Sequence, residues 1–198
     1  MTERILMLHK PKGYEVTRPK IAHAGKTVYL LLPSAFHKQG WVPVGRLDKD
    51  STGLLLFVKE GPLVYRLQTP GHVEKTYEVW VKGHLGPGHL EKVLKGVESP
   101  LGLLKAKSIE VLGVMGPNTL VKVRLDEGKN RHIRRMFGGL KDLEHKRFFK
   151  TLDLTRVSIG PVQLDIEPGQ KRFLTATETD SLLSGIPGKP QERPLGSR

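Results

Sequence analysis

Apolar and polar positions alternate along much of this chain, which is the pattern of strands with one buried face. Residues 121–125, Val-Lys-Val-Arg-Leu, show the alternation most clearly. Comparable runs predict strands over residues 5–9, 28–32, 54–58, 77–81 and 120–125. Two further runs flank Gly160-Pro161, a pair that predicts a turn between them.

Apolar residues also recur at helical spacing in several segments. The i, i+3, i+4, i+7 pattern covers residues 90–97 and 133–140, and a shorter pattern follows Gly61-Pro62. Thr175 and Glu178 have the spacing of a capping box ahead of a fourth helix. Strands outnumber helices, so the sequence predicts an α+β protein with a largely antiparallel sheet.

The length of 198 residues suits one domain with one sizeable core. We expect residues 1–184 to form that domain, with residues 84–112 as a candidate small lobe. Residues 185–198 are rich in proline and glycine and poor in apolar side chains, so we expect them to form a flexible tail.

The charge of the chain is strongly unbalanced. There are 33 Lys and Arg against 20 Asp and Glu, a net charge of +13. An excess of this size favours a polyanionic partner, of which nucleic acid is the leading candidate. No lipidation signal, signal peptide or apolar stretch of membrane-spanning length is present, so we expect a soluble, cytoplasmic protein without a membrane partner.

Metal and thiol chemistry have little support in the sequence. Cysteine is absent, which excludes disulfides, zinc ribbons and thiol nucleophiles. The eight histidines lack metal-ligand spacing, and there is no phosphate-cradling loop or dinucleotide fingerprint. We therefore expect neither a metal nor a cofactor.

Asp48 is the most informative candidate for chemistry. It follows Arg46 in the run Gly-Arg-Leu-Asp of residues 45–48 and precedes a glycine and an apolar run at 53–57. Asp, Ser and Thr at 48–52 could equally be turn or helix-capping residues. However, the apolar run before the segment and the buried strand predicted after it place Asp48 in a firmly held loop at a strand end, where functional side chains are often presented.

A basic cluster covers residues 129–150, with eight Lys or Arg and two acids. Arg131, Arg134 and Arg135 have i, i+3, i+4 spacing and are predicted to share one helix face. Such a face could simply be solvated, but three arginines repel one another unless an anion is present, and guanidinium groups suit phosphates and carboxylates. Lys10 and Lys12 could add a second basic edge, and His132 could contact phosphate or be structural.

Four segments in this order resemble the RsuA-like ribosomal RNA pseudouridine synthases. They are residues 8–13 (LHKPKG), 45–55 (GRLD followed by STGLL), 75–79 (KTYEV) and 127–136 (EGKNRHIRRM), and residues 154–164 also fit the family. The resemblance covers most of residues 5–184. It implies a mixed, mainly antiparallel sheet with flanking helices and a central catalytic cleft.

The resemblance also implies roles for individual residues. Asp48 would be the essential catalytic aspartate, Tyr77 would stack on the target base, and Arg134 would pair with Asp48, although Arg131 is close enough in the motif to do so instead. Arg46 would contact RNA near the extruded nucleotide. We expect further RNA contacts from the basic residues of these motifs, namely Lys10, Lys12, Lys75, Lys129, Arg131 and Arg135.

This sequence departs from the family pattern in two positions and in one module. His132 stands where glutamine is usual, and Lys129 stands where arginine is usual. The small S4-type RNA-binding domain that many relatives carry at the N-terminus is expected to be absent, because the core pattern begins almost at Met1.

The resulting expectation is a monomeric enzyme that isomerises a uridine of ribosomal RNA, with large-subunit 23S RNA as the expected substrate, free or in an assembling subunit. Asp48 could attack C1′ as a nucleophile or act as a base at C2′. Two rival hypotheses are a non-catalytic RNA-binding or ribosome-assembly protein, and a nuclease that uses Asp48, Asp50 and a divalent metal.

Overall fold

The computed structural model describes residues 5–18, 25–59, 61–142 and 147–186, so the predicted tail lies outside the described residues apart from its first two positions. The strands are β1 (Leu6–Lys10), β2 (Trp41–Pro43), β3 (Thr52–Lys59), β4 (Lys75–Lys82), β5 (Ser108–Met115), β6 (Asn118–Leu125), β7 (Lys141–Asp142), β8 (Arg147–Phe148), β9 (Lys150–Ile159), β10 (Val162–Gln163) and β11 (Lys171–Phe173). The helices are α1 (Ala35–Lys38), α2 (Pro62–Gln68), α3 (Pro87–Lys95), α4 (His132–Gly138) and α5 (Ala176–Ser184), and Val28–Leu31 forms a 3-10 helix.

One large sheet organises the protein. Its strands follow the order β11-β1-β3-β9-β4-β6-β5, with β2 added to β3 and β10 added to β9. The β3–β9 pair is parallel, and the other pairs of this sheet are antiparallel. The α+β class with a mixed, mainly antiparallel sheet is therefore confirmed.

Both faces of β3 are buried, which explains its unbroken apolar run. Leu55 and Phe57 belong to the core cluster on one face, whereas Leu54, Leu56 and Val58 belong to the cluster on the other. Successive side chains of a strand point to opposite faces, so a strand covered on both sides needs apolar residues at every position. This packing holds β3 rigidly where it leaves the Asp48 segment.

The predicted strand over residues 28–32 is wrong, because residues 28–31 form a 3-10 helix. The helical turn buries the adjacent side chains of Val28 and Tyr29 together, and it leaves Leu30 exposed. The Tyr29 hydroxyl donates to the backbone oxygen of Trp41 at 2.9 Å, and its ring packs edge-on against Phe57. A strand would have sent the first two side chains to opposite faces.

The predicted helices are present, and the capping box of α5 is confirmed. Thr175 Oγ1 accepts from the backbone N–H of Glu178 at 3.2 Å, and the Glu178 carboxylate accepts from the Thr175 N–H at 2.8 Å. In α3, Val93 is buried, but Leu94 is exposed, so the apolar stripe predicted there is narrower than expected. In the described part of the chain no helix has the length and apolar character needed to cross a membrane.

Residues 84–112 pack on the main core. Val93, Val97 and Leu104 belong to the same cluster as the central strands, and β5 extends the large sheet by pairing with β6. The division into a domain, a lobe and a tail stays a prediction.

Candidate active site

The segment that connects β2 to β3, residues 44–51, is called the Asp48 loop. Its backbone is held by a hydrogen bond within the loop and by another from a neighbouring segment. Inside the loop, the Ser51 N–H donates to the Asp48 backbone oxygen at 3.1 Å. From outside, the Gly13 N–H donates to the backbone oxygen of Lys49 at 2.8 Å. Because these bonds fix the loop backbone, Asp48 projects from a defined position, as predicted from its place at a strand end.

The buried side chain of Lys10 also binds the backbone of the Asp48 loop. Its side chain is fully buried at the end of β1, and its Nζ donates to the backbone oxygens of Ser51 at 2.7 Å, Pro11 at 3.1 Å and Lys49 at 3.4 Å. Burial lowers the pKa of Lys10 to about 8, against the opposing influence of the nearby aspartates of the loop. The structure does not support the RNA contact predicted for Lys10, because its ammonium is enclosed and already bound to three carbonyl groups.

The Asp48 carboxylate lies between two arginines. Its Oδ2 is 3.4 Å from Arg131 Nη1 and 3.6 Å from Arg134 Nε. The sequence left open which arginine pairs with Asp48, and the geometry brings both to the same oxygen. Two guanidinium groups thus share one carboxylate oxygen.

The two arginines are held very differently. Arg134 is 11% exposed, and its Nη atoms donate to Thr151 O at 3.4 Å, Asp50 O at 3.3 Å and Ser51 Oγ at 3.2 Å. Arg131 is 44% exposed, and the structure records ion pairs but no side-chain hydrogen bond for it within the described residues. Arg134 is therefore the fixed partner of Asp48, and Arg131 is the loosely held one.

Arg131 also has an unusual backbone conformation. Its φ of 51° and ψ of 34° lie in the left-handed region, and among the non-glycine residues that the structure describes it alone has a positive φ. Such a conformation costs of order 1–2 kcal/mol and often marks a functional position. It directs the chain into α4, which begins at the next residue.

The predicted common face of three arginines is correct for Arg131 and Arg134, which meet at Asp48, and wrong for Arg135. Arg131 precedes α4 rather than lying on it, and Arg134 turns toward Asp48. Arg135 turns back on the chain, where its Nε donates to Asn130 O at 3.1 Å. The helix starts two residues later than Asn130, where the sequence pattern had placed its beginning, and Arg135 points in a different direction from Arg131 and Arg134, which both reach Asp48.

A cavity of about 90 Å³ opens in front of Asp48. The polar and aromatic predicted residues that line it are Arg46, Asp48, Tyr77, Lys129, Arg131 and Arg134. Tyr77 is buried on β4, between β6 and β9, with its ring at the cavity wall. The structure thus joins residues from three distant motifs into one site.

Four predicted residues do not line this cavity, namely Lys10, which is buried beneath the Asp48 loop, and Lys12, Lys75 and Arg135. Lys12 lies in an adjoining groove, where its Nζ is 3.0 Å from Asp153 Oδ2. Lys75 is half-buried, its Nζ donates to Val73 O at 2.8 Å, and burial lowers its pKa to about 8. Arg135 is held by Asn130, as described above.

His132 and Lys129, where the sequence departs from the family pattern, have clear surroundings. His132 is buried, and its Nε2 lies 3.2 Å from Lys105 O. Burial lowers the pKa of His132, so a neutral, structural ring is favoured over a phosphate contact. Lys129 Nζ donates to Leu103 O at 3.0 Å and lies 3.2 Å from Glu127.

Sequence reasoning missed two contributors to the site. Asp50, considered only as a turn residue or metal ligand, has Oδ2 3.3 Å from Arg134 Nη2 and Oδ1 3.8 Å from Arg131 Nη1. Ser51 is buried, and its hydroxyl oxygen accepts a hydrogen bond from Arg134 Nη2 at 3.2 Å. The signal for Asp50 was its position two residues after Asp48; the Ser51 contact required the fold. Among the described residues no group of three or more His, Asp or Glu is arranged to hold a metal ion.

The comparisons with known proteins agree with this geometry. Residues 4–138 match the family described as RNA pseudouridylate synthase. The chain belongs to this family. A solved pseudouridylate synthase superposes with a TM-score of 0.75 at 28% identity, over 90% of this chain and 73% of that one. The pseudouridine synthase fold predicted from the resemblance is confirmed.

Among the curated relatives of this chain, some are named for the large ribosomal subunit and others for the small one. Ribosomal large subunit pseudouridine synthase B of Haemophilus influenzae is 39% identical over 68% of this chain, which spans 37% of that protein. Ribosomal small subunit pseudouridine synthase A of Vibrio vulnificus is 31% identical over 90% of this chain, which spans 74% of that protein.

Proposed function

We propose that this protein isomerises uridine to pseudouridine in ribosomal RNA, with Asp48 as the catalytic residue. The observation that carries the proposal is the Asp48 carboxylate, held between two arginines at a cavity that Tyr77 also lines. Membership of the pseudouridylate synthase family and the names of the ribosomal relatives support it.

The reaction fits a site built from a carboxylate, guanidinium groups and an aromatic ring. The N1–C1′ bond breaks, the uracil rotates, and C5 bonds to C1′ while the C5 proton is lost and N1 gains one. No external group enters the product. An ionised Asp48 can serve as nucleophile at C1′ or as base at C2′, and Arg134 fixes its position in either route.

The cavity residues divide into those for the base and those for the backbone. The target base must leave the helical stack, which costs a few kcal/mol and less in loops or bulges. Tyr77 offers a ring on which the extruded base stacks. Arg46, Lys129 and Arg131 supply cations at the cavity for the neighbouring phosphates, and Lys12, Lys75 and Arg135 extend the basic surface.

The proposed substrate is large-subunit RNA, free or in an assembling subunit, and the proposed form is a cytoplasmic monomer. The higher sequence identity to the large-subunit relative supports large-subunit RNA as the substrate. Because another relative is named for the small subunit, both ribosomal RNAs need to be tested. Mapping pseudouridine in both ribosomal RNAs, with and without this protein, identifies the modified position.

Tritium release from RNA that carries 5-tritiated uridine tests the activity. Asp48→Asn keeps the shape of the side chain but removes its charge, so we expect release to fall to background while RNA binding persists. Asp180→Asn removes one exposed carboxylate on α5 and serves as the control. An Asp48→Asn protein as active as the parent would overturn the assignment.

The non-catalytic alternative predicts a different result with the same samples. A ribosome-assembly protein would bind RNA with affinity indifferent to Asp48 and would leave every uridine unchanged. Loss of release in the variant, together with its retained binding, separates the enzyme from that alternative.

A further inference from the structure

A groove of about 680 Å³ adjoins the active-site cavity, and we call it the flanking groove. Arg46, Asp48 and Arg131 line both spaces, so the groove opens directly onto the catalytic carboxylate. Lys12 and Lys49 add two more cations to its walls. A strand of RNA whose base enters the cavity would therefore have its adjacent backbone at this groove.

Both lysines of the flanking groove are already paired with carboxylates of the protein. Lys12 Nζ lies 3.0 Å from Asp153 Oδ2, and Lys49 Nζ lies 3.0 Å from Glu15 Oε1. Arg131 shows the same arrangement with its two aspartates. The basic wall is thus largely neutralised by the protein's own acids.

The lysine pairs are exposed enough to exchange partners. The side chains of Lys12 and Asp153 are 52% and 41% exposed, and those of Lys49 and Glu15 are 58% and 33% exposed. Exposed ion pairs contribute little to stability, because water and salt screen them. A phosphodiester can take the place of each carboxylate, and the displaced acid then remains close to the phosphate and repels it.

We propose that the flanking groove binds backbone phosphates beside the target uridine, and that Glu15 and Asp153 are the acids these phosphates displace from Lys49 and Lys12. The proposal rests on the proposed function in that its ligand is RNA. Isomerisation leaves the charge of the RNA unchanged, so electrostatics cannot favour release of the product over the substrate. Resident acids weaken the hold on both and thereby speed product release.

Binding of a fluorescent RNA stem-loop, measured by anisotropy over a range of salt, tests this. Glu15→Gln and Asp153→Asn should each tighten binding at low salt by roughly two- to fivefold, the effect expected for one exposed charge. For each variant, the slope of log K for RNA binding against log salt concentration should become steeper by up to about 0.7. The reason is that the lysine no longer has a carboxylate of the protein competing with the phosphate. Dissociation after an unlabelled chase should slow correspondingly.

Glu91→Gln is the matched control. Glu91 forms an exposed pair with Lys95 on α3, with Oε1 2.6 Å from Nζ, and neither residue lines the flanking groove. Loss of this acid changes the net charge equally, so an affinity change as large as that of Glu15→Gln would overturn the proposal.

A double variant distinguishes the release of a lysine by its carboxylate from the general effect of removing one negative charge. In a Lys12→Ala background, Asp153→Asn should tighten binding by less than it does in the parent, because only the repulsion between the acid and the phosphate is then removed and no cation is released. Retention of the full gain there would overturn the proposal. If Glu15→Gln and Asp153→Asn bind RNA like the control and still form pseudouridine, this inference is overturned but the proposed function is not. If the two variants bind RNA more tightly as expected but neither they nor the parent forms pseudouridine, the proposed function is overturned but this inference is not.

Discussion

Arg134 Nε lies 3.6 Å from Asp48 Oδ2, just beyond hydrogen-bond distance, while the other guanidinium nitrogens are tied to the surrounding backbone and to Ser51. This Nε is buried and has no hydrogen-bond partner within the described residues. A buried donor without an acceptor is costly, so a small approach of the carboxylate would improve the pair. The site therefore favours an Asp48 position directed at Arg134.

Arg134→Lys should lower turnover far more than it weakens RNA binding. Lysine keeps the charge but loses the planar fork that bonds Thr151 and Ser51, so Asp48 loses a fixed partner. We expect turnover to fall roughly 100-fold, as on removal of one preorganised donor. Single-turnover rates at saturating RNA and separate binding measurements give the two effects.

Arg131→Lys is the control for that substitution, because Arg131 reaches the same Asp48 oxygen but is exposed and lacks the supporting bonds. Its turnover at saturating RNA should change little. Equal losses of turnover in the two lysine variants would contradict the different roles of the arginines.

Gly53→Ala should destabilise the fold. Gly53 has a φ of +114°, and a Cβ there would lie 2.3 Å from the backbone oxygen of Arg156, where β3 and β9 pair. Backbone strain and the close approach together should cost about 2–4 kcal/mol of the free energy of unfolding, measured in urea. Gly138→Ala, whose Cβ would meet nothing within 4 Å, should change it by less than about 0.5 kcal/mol.

The sequence allowed most strands and helices to be predicted, because their apolar periodicities report directly on the buried faces. It failed at residues 28–31, where a short apolar run has no periodicity that distinguishes a strand from a tight helical turn. It also gave no prediction for β5, whose edge position leaves apolar side chains such as Val114 and Met115 exposed.

For the candidate site, the sequence motifs identified which residues to expect but not how they are arranged. Asp48, Tyr77 and Arg134 come together because β3, β4 and α4 meet around the cavity. The interior position of Lys10 could not be predicted, since a lysine in a polar motif is usually exposed. Its burial depends in large part on the carbonyls of Lys49 and Ser51, which only the folded loop presents.

Glu178→Gln should destabilise the protein at neutral pH but not in strong acid. Hydrogen bonds from Arg172 lower the pKa of Glu178 to about 2 from an ordinary 4.5. A lowered pKa in the fold gives stabilisation that is complete above about 4.5 and is lost as the pH falls through about 2. We expect the parent to be more stable by about 1–2 kcal/mol at pH 7, with the difference shrinking below pH 4.5. For Asp180→Asn on the same helix, the difference in stability from the parent should not shrink in this way as the pH falls.

Lys10→Met should reduce turnover and remove a pH dependence that the parent shows near pH 8. The ammonium of Lys10 has three N–H groups for three carbonyl oxygens, those of Lys49 and Ser51 in the Asp48 loop and that of Pro11, and its pKa is lowered to about 8 by burial. Below that pH the protonated form holds the loop, and above it the neutral amine has one N–H too few. Parent turnover at saturating RNA should therefore decline as pH rises through about 8.

Lys75→Met is the comparison that assigns this decline to Lys10. Burial lowers the pKa of Lys75 to about 8 as well, but its Nζ bonds Val73 O and not the Asp48 loop. The decline should persist in Lys75→Met and disappear in Lys10→Met, whose turnover should be low and flat over the same range. The RNA affinity of Lys10→Met should stay near that of the parent, because the buried ammonium has no access to phosphate. A Lys10→Met profile that still falls near pH 8 would show that another group controls the loop.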